Sequence, residues 1–81
     1  MLSEIEYKKL AWHSRRGMRE LDLLLMPFVE GFLKDQTAED QKLYQDFLSE
    51  EDQDLYNWLV MREPAPTANI ERMVVLIRST R

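Results

Sequence analysis

Residues 12–20 contain the side chains best suited to bind a partner, and they read Trp-His-Ser-Arg-Arg-Gly-Met-Arg-Glu. Three of these residues are arginines, whose guanidinium groups bind carboxylates and phosphates through paired hydrogen bonds. Arginine and tryptophan are also enriched at the centres of protein interfaces. Gly17 can let another backbone approach closely, because it carries no side chain. The composition of this segment therefore favours recognition of an anionic or protein partner.

The sequence lacks the residue sets that catalysis and metal binding require. It contains no cysteine and a single histidine, His13, whereas a zinc site needs three or four ligands. No serine, cysteine or carboxylate arrangement marks His13 as a catalytic base, and there is no phosphate-binding loop. We expect His13 to be a solvated residue near a helix end. The sequence predicts a protein that is not an enzyme and holds no metal.

Charge is divided unevenly along the 81 residues, whose net charge is −4. Residues 1–20 hold five basic and three acidic side chains, whereas residues 21–81 hold six basic and twelve acidic ones. A surface that is acidic over most of its area repels phosphate backbones, so the sequence disfavours nucleic-acid binding. Its basic pole is expected around Arg15, Arg16 and Arg19.

The sequence carries no signal for a membrane or for secretion. No apolar run approaches the ~18–20 residues that a membrane span requires, and the first residues are too acidic and polar for a signal peptide. The lack of cysteine agrees with a reducing compartment. Because no transit peptide is evident either, we expect a protein of the bacterial cytoplasm that does not insert into a membrane.

Helical spacing of apolar residues dominates the sequence, and no stretch of strict alternation predicts a β-strand. Ser3 and Glu6 have the spacing of a capping box at the start of a first helix. That helix is expected to run from Glu4 to about Arg16. It should end at Gly17, because glycine takes the left-handed conformation of a helix C-cap without a steric penalty.

Four more helices are expected to begin near Met18, Thr37, Asp52 and Thr67 or Asn69, with Asp52 as the N-terminal cap of the fourth. Pro27 should kink or split the second helix, because proline lacks an amide donor and its ring clashes with the preceding turn. The second helix is apolar over much of its circumference and therefore belongs at the centre of a bundle. The predicted fold class is all-α, a compact bundle of five short helices in a single domain spanning residues 1–81.

Two opposite faces of the first helix differ in character when residues are placed about 100° apart. The face expected to contact the core carries Tyr7, Leu10, Ala11 and Ser14. The opposite face carries Ile5, Lys9, Trp12 and Arg16. Either this second face binds a partner, or another helix, such as the fifth, covers it and Trp12 belongs to the core.

Gly17 and Glu20 each have a purely structural alternative. Gly17 can serve as a helix C-cap, and Glu20 can compensate the positive end of the second helix dipole. On the functional alternative, the bend between the first two helices presents its guanidinium groups and the indole of Trp12 outward as a docking surface.

The pentapeptide Arg16-Gly17-Met18-Arg19-Glu20 resembles the RGxxE motif of the FAD assembly factor family of succinate dehydrogenase, called SdhE in bacteria. The similarity extends to several companion segments in the same order. These are Trp12, Arg15, Leu21-Asp22, Met26-Pro27-Phe28, Asp54-Leu55-Tyr56-Asn57-Trp58-Leu59 and Met73-Val74-Val75-Leu76-Ile77. The motif alone is a weak signal, but with these companions the resemblance covers nearly all 81 residues.

The resemblance implies a five-helix bundle and a role as an assembly factor. Such a factor binds the flavoprotein subunit of succinate dehydrogenase or fumarate reductase and promotes covalent attachment of FAD. It implies no tightly bound cofactor in this chain, because the FAD belongs to the partner, and we expect a monomer. The implied partner-binding residues are Arg16, Gly17 and Glu20 of the motif, with Lys9, Trp12, Arg15 and Arg19 as neighbours.

Other classes of function remain alternatives from the sequence. A small helical regulatory protein of the antitoxin type would also act through protein–protein contacts. A helix-turn-helix DNA-binding protein would fit the abrupt bend between the first two helices, but the acidic remainder of the chain argues against it.

Overall fold

Five α-helices make up most of residues 3–79, which are the residues that the computed structural model describes. The helices are α1 (Glu4–His13), α2 (Arg19–Gly31), α3 (Ala38–Phe47), α4 (Asp52–Leu59) and α5 (Ala68–Ser79). A short 3₁₀ helix (Leu33–Asp35) follows α2. No strand occurs in the described part of the chain. The prediction of an all-α bundle of five short helices is confirmed.

Local hydrogen bonds explain where several helices begin. The Ser3 side chain accepts a hydrogen bond from the Glu6 amide, and the Glu6 carboxylate accepts one from the Ser3 amide, each at 3.1 Å. This pair is the predicted capping box. The Thr37 hydroxyl accepts from the Asp40 amide at 3.1 Å at the start of α3. Thr67, one of the two predicted alternatives, accepts from the Ile70 amide at 3.2 Å before α5.

The first helix is shorter than predicted, because it ends at His13 and not near Arg16. Ser14 forms its C-cap, and the Ser14 hydroxyl donates to the Leu10 carbonyl at 2.7 Å. Gly17 does adopt the expected left-handed conformation, with φ of 81°, but it lies in the loop after the helix. Gly17 therefore correctly predicted a bend in the chain, but the helix ends earlier in the sequence than this glycine suggested.

Pro27 was expected to kink or split the second helix, and Asp52 was expected to cap the fourth; neither the split nor the cap is observed. Pro27 does not split α2, which runs unbroken through it. Pro27 has no amide hydrogen to donate to the carbonyl of Leu23, which lies one helical turn earlier. Both residues are exposed, so this carbonyl lies on the solvent side of α2. Asp52 is the first residue of α4, and Glu51 is the residue that precedes the helix as its N-cap.

The second helix lies at the centre of the bundle, as its broad apolar surface predicted. It contacts α1, α4 and α5, while α3 packs against α5. Its residues Leu21, Leu25 and Val29 are completely buried. Phe28 of α2 packs on Tyr44 of α3, with ring centroids 5.0 Å apart. This packing fixes the start of α2 relative to the other helices.

Candidate partner-binding site

The loop between α1 and α2 (residues 14–18, the α1–α2 loop) begins at a buried polar contact. Ser14 is completely buried, and its hydroxyl oxygen lies 2.6 Å from the phenol oxygen of Tyr44. Because Ser14 donates its proton to the Leu10 carbonyl, the Tyr44 hydroxyl donates to Ser14. Ser14 was predicted on the core side of α1, and this contact fastens the start of the loop to α3.

The guanidinium of Arg16 points into the molecule. Its Nη2 donates to the carbonyl of Leu48 and, at 3.0 Å, to that of Glu50. Its Nη1 donates to the carbonyl of His13 at 3.2 Å. Only 16% of the Arg16 side chain is exposed. The expectation that the bend presents this guanidinium outward is therefore wrong, because three backbone carbonyls hold it inside.

Two carboxylates also hold Arg16. Its Nε lies 3.1 Å from Asp52 Oδ1 at the start of α4, but no acceptor in residues 3–79 is aligned with the buried Nε–H. We therefore describe the contact as an ion pair without a well-directed hydrogen bond. The Arg16 backbone amide donates to Asp22 Oδ1 of α2 at 2.9 Å. Arg16 thus links the α1–α2 loop to the start of α4 and to the first turn of α2.

The indole of Trp12 lies on the surface, and 75% of the residue is exposed. Ile5, on the same face of α1, is 68% exposed, and Lys9 is also exposed. No helix in the described part of the chain covers this face. The alternative that Trp12 belongs to the core is therefore wrong, and an apolar surface flanked by cations remains open to a partner.

Around the bend, four more of the predicted residues face solvent. They are Arg15, Gly17, Arg19 and Glu20. A Cβ atom built on Gly17 would have no atom within 4 Å, so a side chain there would extend into open space. Glu20 forms no ion pair within residues 3–79, with Arg16 or with any other cation. It lies in the first turn of α2, where a carboxylate is favourable to the helix dipole.

Lys9 and Glu20 line two different surface grooves. Lys9 lies with Glu6 and His13 in a groove of about 570 Å³ between α1 and the end of α3. Glu20 lies with Leu23 and Arg62 in a smaller groove of about 250 Å³.

Residues 8–81 match the family model described as flavinator of succinate dehydrogenase. The match covers more than nine-tenths of the 81 residues. The chain belongs to this family.

Members of the flavinator family from several bacteria are similar to the chain over most of its length. The FAD assembly factor SdhE of Pseudomonas aeruginosa is 47% identical over 77 residues, which cover 95% of this chain and 92% of that protein. The FAD assembly factor SdhE of Shewanella oneidensis is 40% identical over 70 residues, covering 86% and 85% of the two chains. That of Haemophilus ducreyi is 34% identical over 79 residues, covering 98% and 96%.

The RGxxE sequence of residues 16–20 thus contains two kinds of residue in this structure. Gly17 and Glu20 are exposed, whereas Arg16 is held by the fold. Asp22 and Asp52, which hold Arg16, were not predicted as part of the site. No local sequence pattern could have identified Asp52, because the loop and α4 meet only after the bundle has folded.

No group of three or more His, Cys, Asp or Glu side chains in residues 3–79 could hold a metal ion. In the same residues, no helix is both long and apolar enough to cross a membrane.

Proposed function

We propose that this chain is an assembly factor that binds the flavoprotein subunit of succinate dehydrogenase or fumarate reductase and promotes covalent attachment of FAD. Its membership of the flavinator family and its similarity to bacterial FAD assembly factors support this role. The structural observation that carries the proposal is the exposure of the Trp12 indole and of two arginines, Arg15 and Arg19, within the same short segment of residues 12–20.

The chain acts by binding and not by bond-making. Its described residues contain no nucleophile–base pair, so the group that reacts with the flavin belongs to the partner. On this proposal the chain holds no tightly bound cofactor of its own, and it acts on the FAD of the flavoprotein. The chain stabilises an arrangement of the flavoprotein in which the reactive side chain of the flavoprotein lies next to the flavin. Holding these two groups together lowers the entropic part of the activation barrier for flavin attachment.

The exposed residues have distinct roles in this binding. Trp12 supplies a large rigid apolar contact of the kind that dominates protein interfaces. Arg15 and Arg19 bind carboxylates of the flavoprotein or phosphate oxygens of its FAD. Gly17 lets the partner's backbone approach the loop. Glu20 accepts hydrogen bonds from the partner, since it has no ion pair within the described chain.

Covalent flavin in the flavoprotein subunit tests the proposal directly. The subunit is incubated with FAD, with or without the chain, and flavin fluorescence is measured after denaturing electrophoresis. We expect the chain to increase covalent flavin, and a triple variant with Trp12, Arg15 and Arg19 changed to alanine to lose the effect. A matched control changes the exposed Lys42 and Met61 to alanine. Equal flavin with and without the wild-type chain would reject the proposed function.

A further inference from the structure

Three residues of the segment from the end of α3 to the first residue of α4 (residues 48–52, the α3–α4 segment) contact the side chain of Arg16. The carbonyls of Leu48 and Glu50 accept hydrogen bonds from Nη2, and the carboxylate of Asp52 lies 3.1 Å from Nε. None of these three residues belongs to the RGxxE motif. The segment nevertheless determines where the first residue of that motif sits.

Three of the hydrogen-bond donors of Arg16, including both on Nη2, are used within the chain. A guanidinium has five N–H donors. Both donors on Nη2 and one on Nη1 donate to carbonyls, whereas the Nε–H forms no aligned hydrogen bond and Nε makes only an ion pair with Asp52. A partner's carboxylate therefore cannot form the paired, bidentate contact for which arginine is usually selected. Arg16 is placed to hold the loop, and the exposed residues beside it are placed to touch the partner.

We propose that Asp52, together with Asp22, positions the α1–α2 loop for binding, and that Arg16 is a positioning residue. Asp52 holds the guanidinium and Asp22 holds the Arg16 amide, so the loop is fixed at both its side chain and its backbone. Arg15 and Gly17, on either side of Arg16, are thereby kept in one arrangement relative to the start of α2. A surface ordered in advance binds more tightly, because less conformational entropy is lost on association.

The positioning role is separable from the stability of the bundle. Asp52 is half exposed, and its carboxylate lies against Arg16 of the loop. The end of α1 is fastened independently by the buried contact between Ser14 and Tyr44. Loss of the Asp52 carboxylate should therefore loosen the loop locally and leave global unfolding little changed.

The first test needs no partner and so does not depend on the proposed function. Amide hydrogen exchange of residues 15–17 is measured by NMR in the wild type and in Asp52→Asn. We expect the Arg16 amide to exchange at least about tenfold faster in the variant, while amides of α2 and α5 exchange as in the wild type. Asp54→Asn is the matched control, because Asp54 lies in the same helical turn and forms no ion pair in residues 3–79. Unchanged exchange at Arg16 would overturn the positioning role.

The second test rests on the proposed function and measures binding to the flavoprotein subunit. Asp52→Asn should weaken the affinity for the flavoprotein subunit about tenfold, whereas Asp54→Asn should weaken it less than about twofold. Asp52→Glu keeps the carboxylate, so its affinity should be close to that of the wild type. The chain concentration for half-maximal flavin attachment should rise by the same factor, with the rate at saturation unchanged. A lower saturated rate with unchanged affinity would overturn the inference.

A double-mutant cycle distinguishes a linked pair from two separate effects. Arg16→Lys keeps the charge but loses the planar fork that reaches the carbonyls. If Asp52 acts through Arg16, the double variant with Arg16→Lys and Asp52→Asn should bind the flavoprotein almost as well as Arg16→Lys alone. Additive losses would overturn the inference. A wild-type chain that neither binds the flavoprotein nor raises its covalent flavin would instead reject the proposed function, while the exchange result would still decide the positioning role.

Discussion

The hydroxyl oxygens of Ser14 and Tyr44 lie 2.6 Å apart where α1 ends against α3. Burial raises the pKa of the Tyr44 phenol, although the Ser14 hydrogen bond and the Arg16 charge act in the opposite direction. The phenol therefore stays protonated at neutral pH and donates to Ser14. The buried Tyr44 hydroxyl is satisfied only while it contacts Ser14, so the end of α1 has one preferred position against α3.

Removing the Ser14 hydroxyl, which accepts the hydrogen bond, should lower the free energy of unfolding more than removing the Tyr44 hydroxyl, which donates it. Ser14→Ala leaves the buried Tyr44 hydroxyl without its partner, and we expect a loss of ~1–3 kcal/mol in the free energy of unfolding. Tyr44→Phe leaves Ser14 bonded to the Leu10 carbonyl and should cost about 1 kcal/mol. Urea unfolding measures both, with the exposed Ser49→Ala as control. A Ser14→Ala loss no larger than that of the control would contradict this view of the contact.

We expect Gly17 to be required both for its backbone conformation and for the open space beside it. Its φ is 81°, and no atom lies within 4 Å of the position that a Cβ atom would occupy. Gly17→Arg should abolish the gain in covalent flavin while costing about 1–2 kcal/mol of stability, because the strain is confined to one residue. Thermal melting and flavin fluorescence measure the two effects. A loss of folding as complete as the loss of activity would leave Gly17 with a purely structural role.

Gly17→Asn separates the two requirements, because asparagine tolerates the left-handed conformation better than other residues with a side chain. It should melt close to the wild type and still bind the flavoprotein about tenfold more weakly, since its side chain occupies the space that the partner approaches. Full binding by Gly17→Asn would show that the backbone conformation alone matters.

The parts of the fold that depend on local sequence were predictable. Ser3 with Glu6, and Thr37 before α3, mark helix starts through contacts that span only three residues. The left-handed bend was also predictable, because Gly17 is one of only two glycines in the sequence. These features depend on near neighbours, so the residue types alone determine them.

The parts that depend on tertiary contacts were not predictable. The orientation of Arg16 is decided by carbonyls and a carboxylate more than thirty residues away in the chain. Helical periodicity placed Arg16 on the outer face of α1, opposite the core side, but that helix ends at His13 and the Arg16 side chain turns inward. Trp12 remained open to either interpretation until the neighbouring helices were placed, because an indole suits both a core and an interface.

The ion pair between Asp40 and Arg72 should make stability depend on pH. Arg72 Nε and Nη2 lie 2.7 and 3.1 Å from the two oxygens of Asp40, which joins α3 to α5. The Arg72 hydrogen bonds hold the pKa of the buried Asp40 carboxyl below its usual value, against the opposing effect of burial. Because the pKa is lower in the folded state, the pair stabilises the fold above the unfolded-state pKa of about 4, and this contribution is lost as the pH falls through the folded-state pKa.

Arg72→Leu should therefore destabilise the chain at pH 7, and the difference from the wild type should shrink as the pH falls and Asp40 becomes protonated. Thermal melting between neutral and acidic pH measures this change. Lys8→Ala is the control, because the Lys8–Glu4 pair at 3.6 Å is largely exposed and should contribute little at any pH. A difference between Arg72→Leu and the wild type that stays constant down to acidic pH would argue against the assignment to Asp40.

Glu20 should matter for binding far more than for folding. It is exposed in the first turn of α2 and has no ion pair in the described chain, so Glu20→Ala removes only its favourable position at the helix dipole, worth about 0.3–1 kcal/mol. Pull-down of the flavoprotein should nevertheless fall about tenfold, because a carboxylate that bonds the partner is lost. Glu30→Ala, the same change at an exposed position of the same helix, should bind like the wild type. If Glu20→Ala binds as well as this control, Glu20 serves the helix alone and the partner's contacts lie with Trp12 and the arginines.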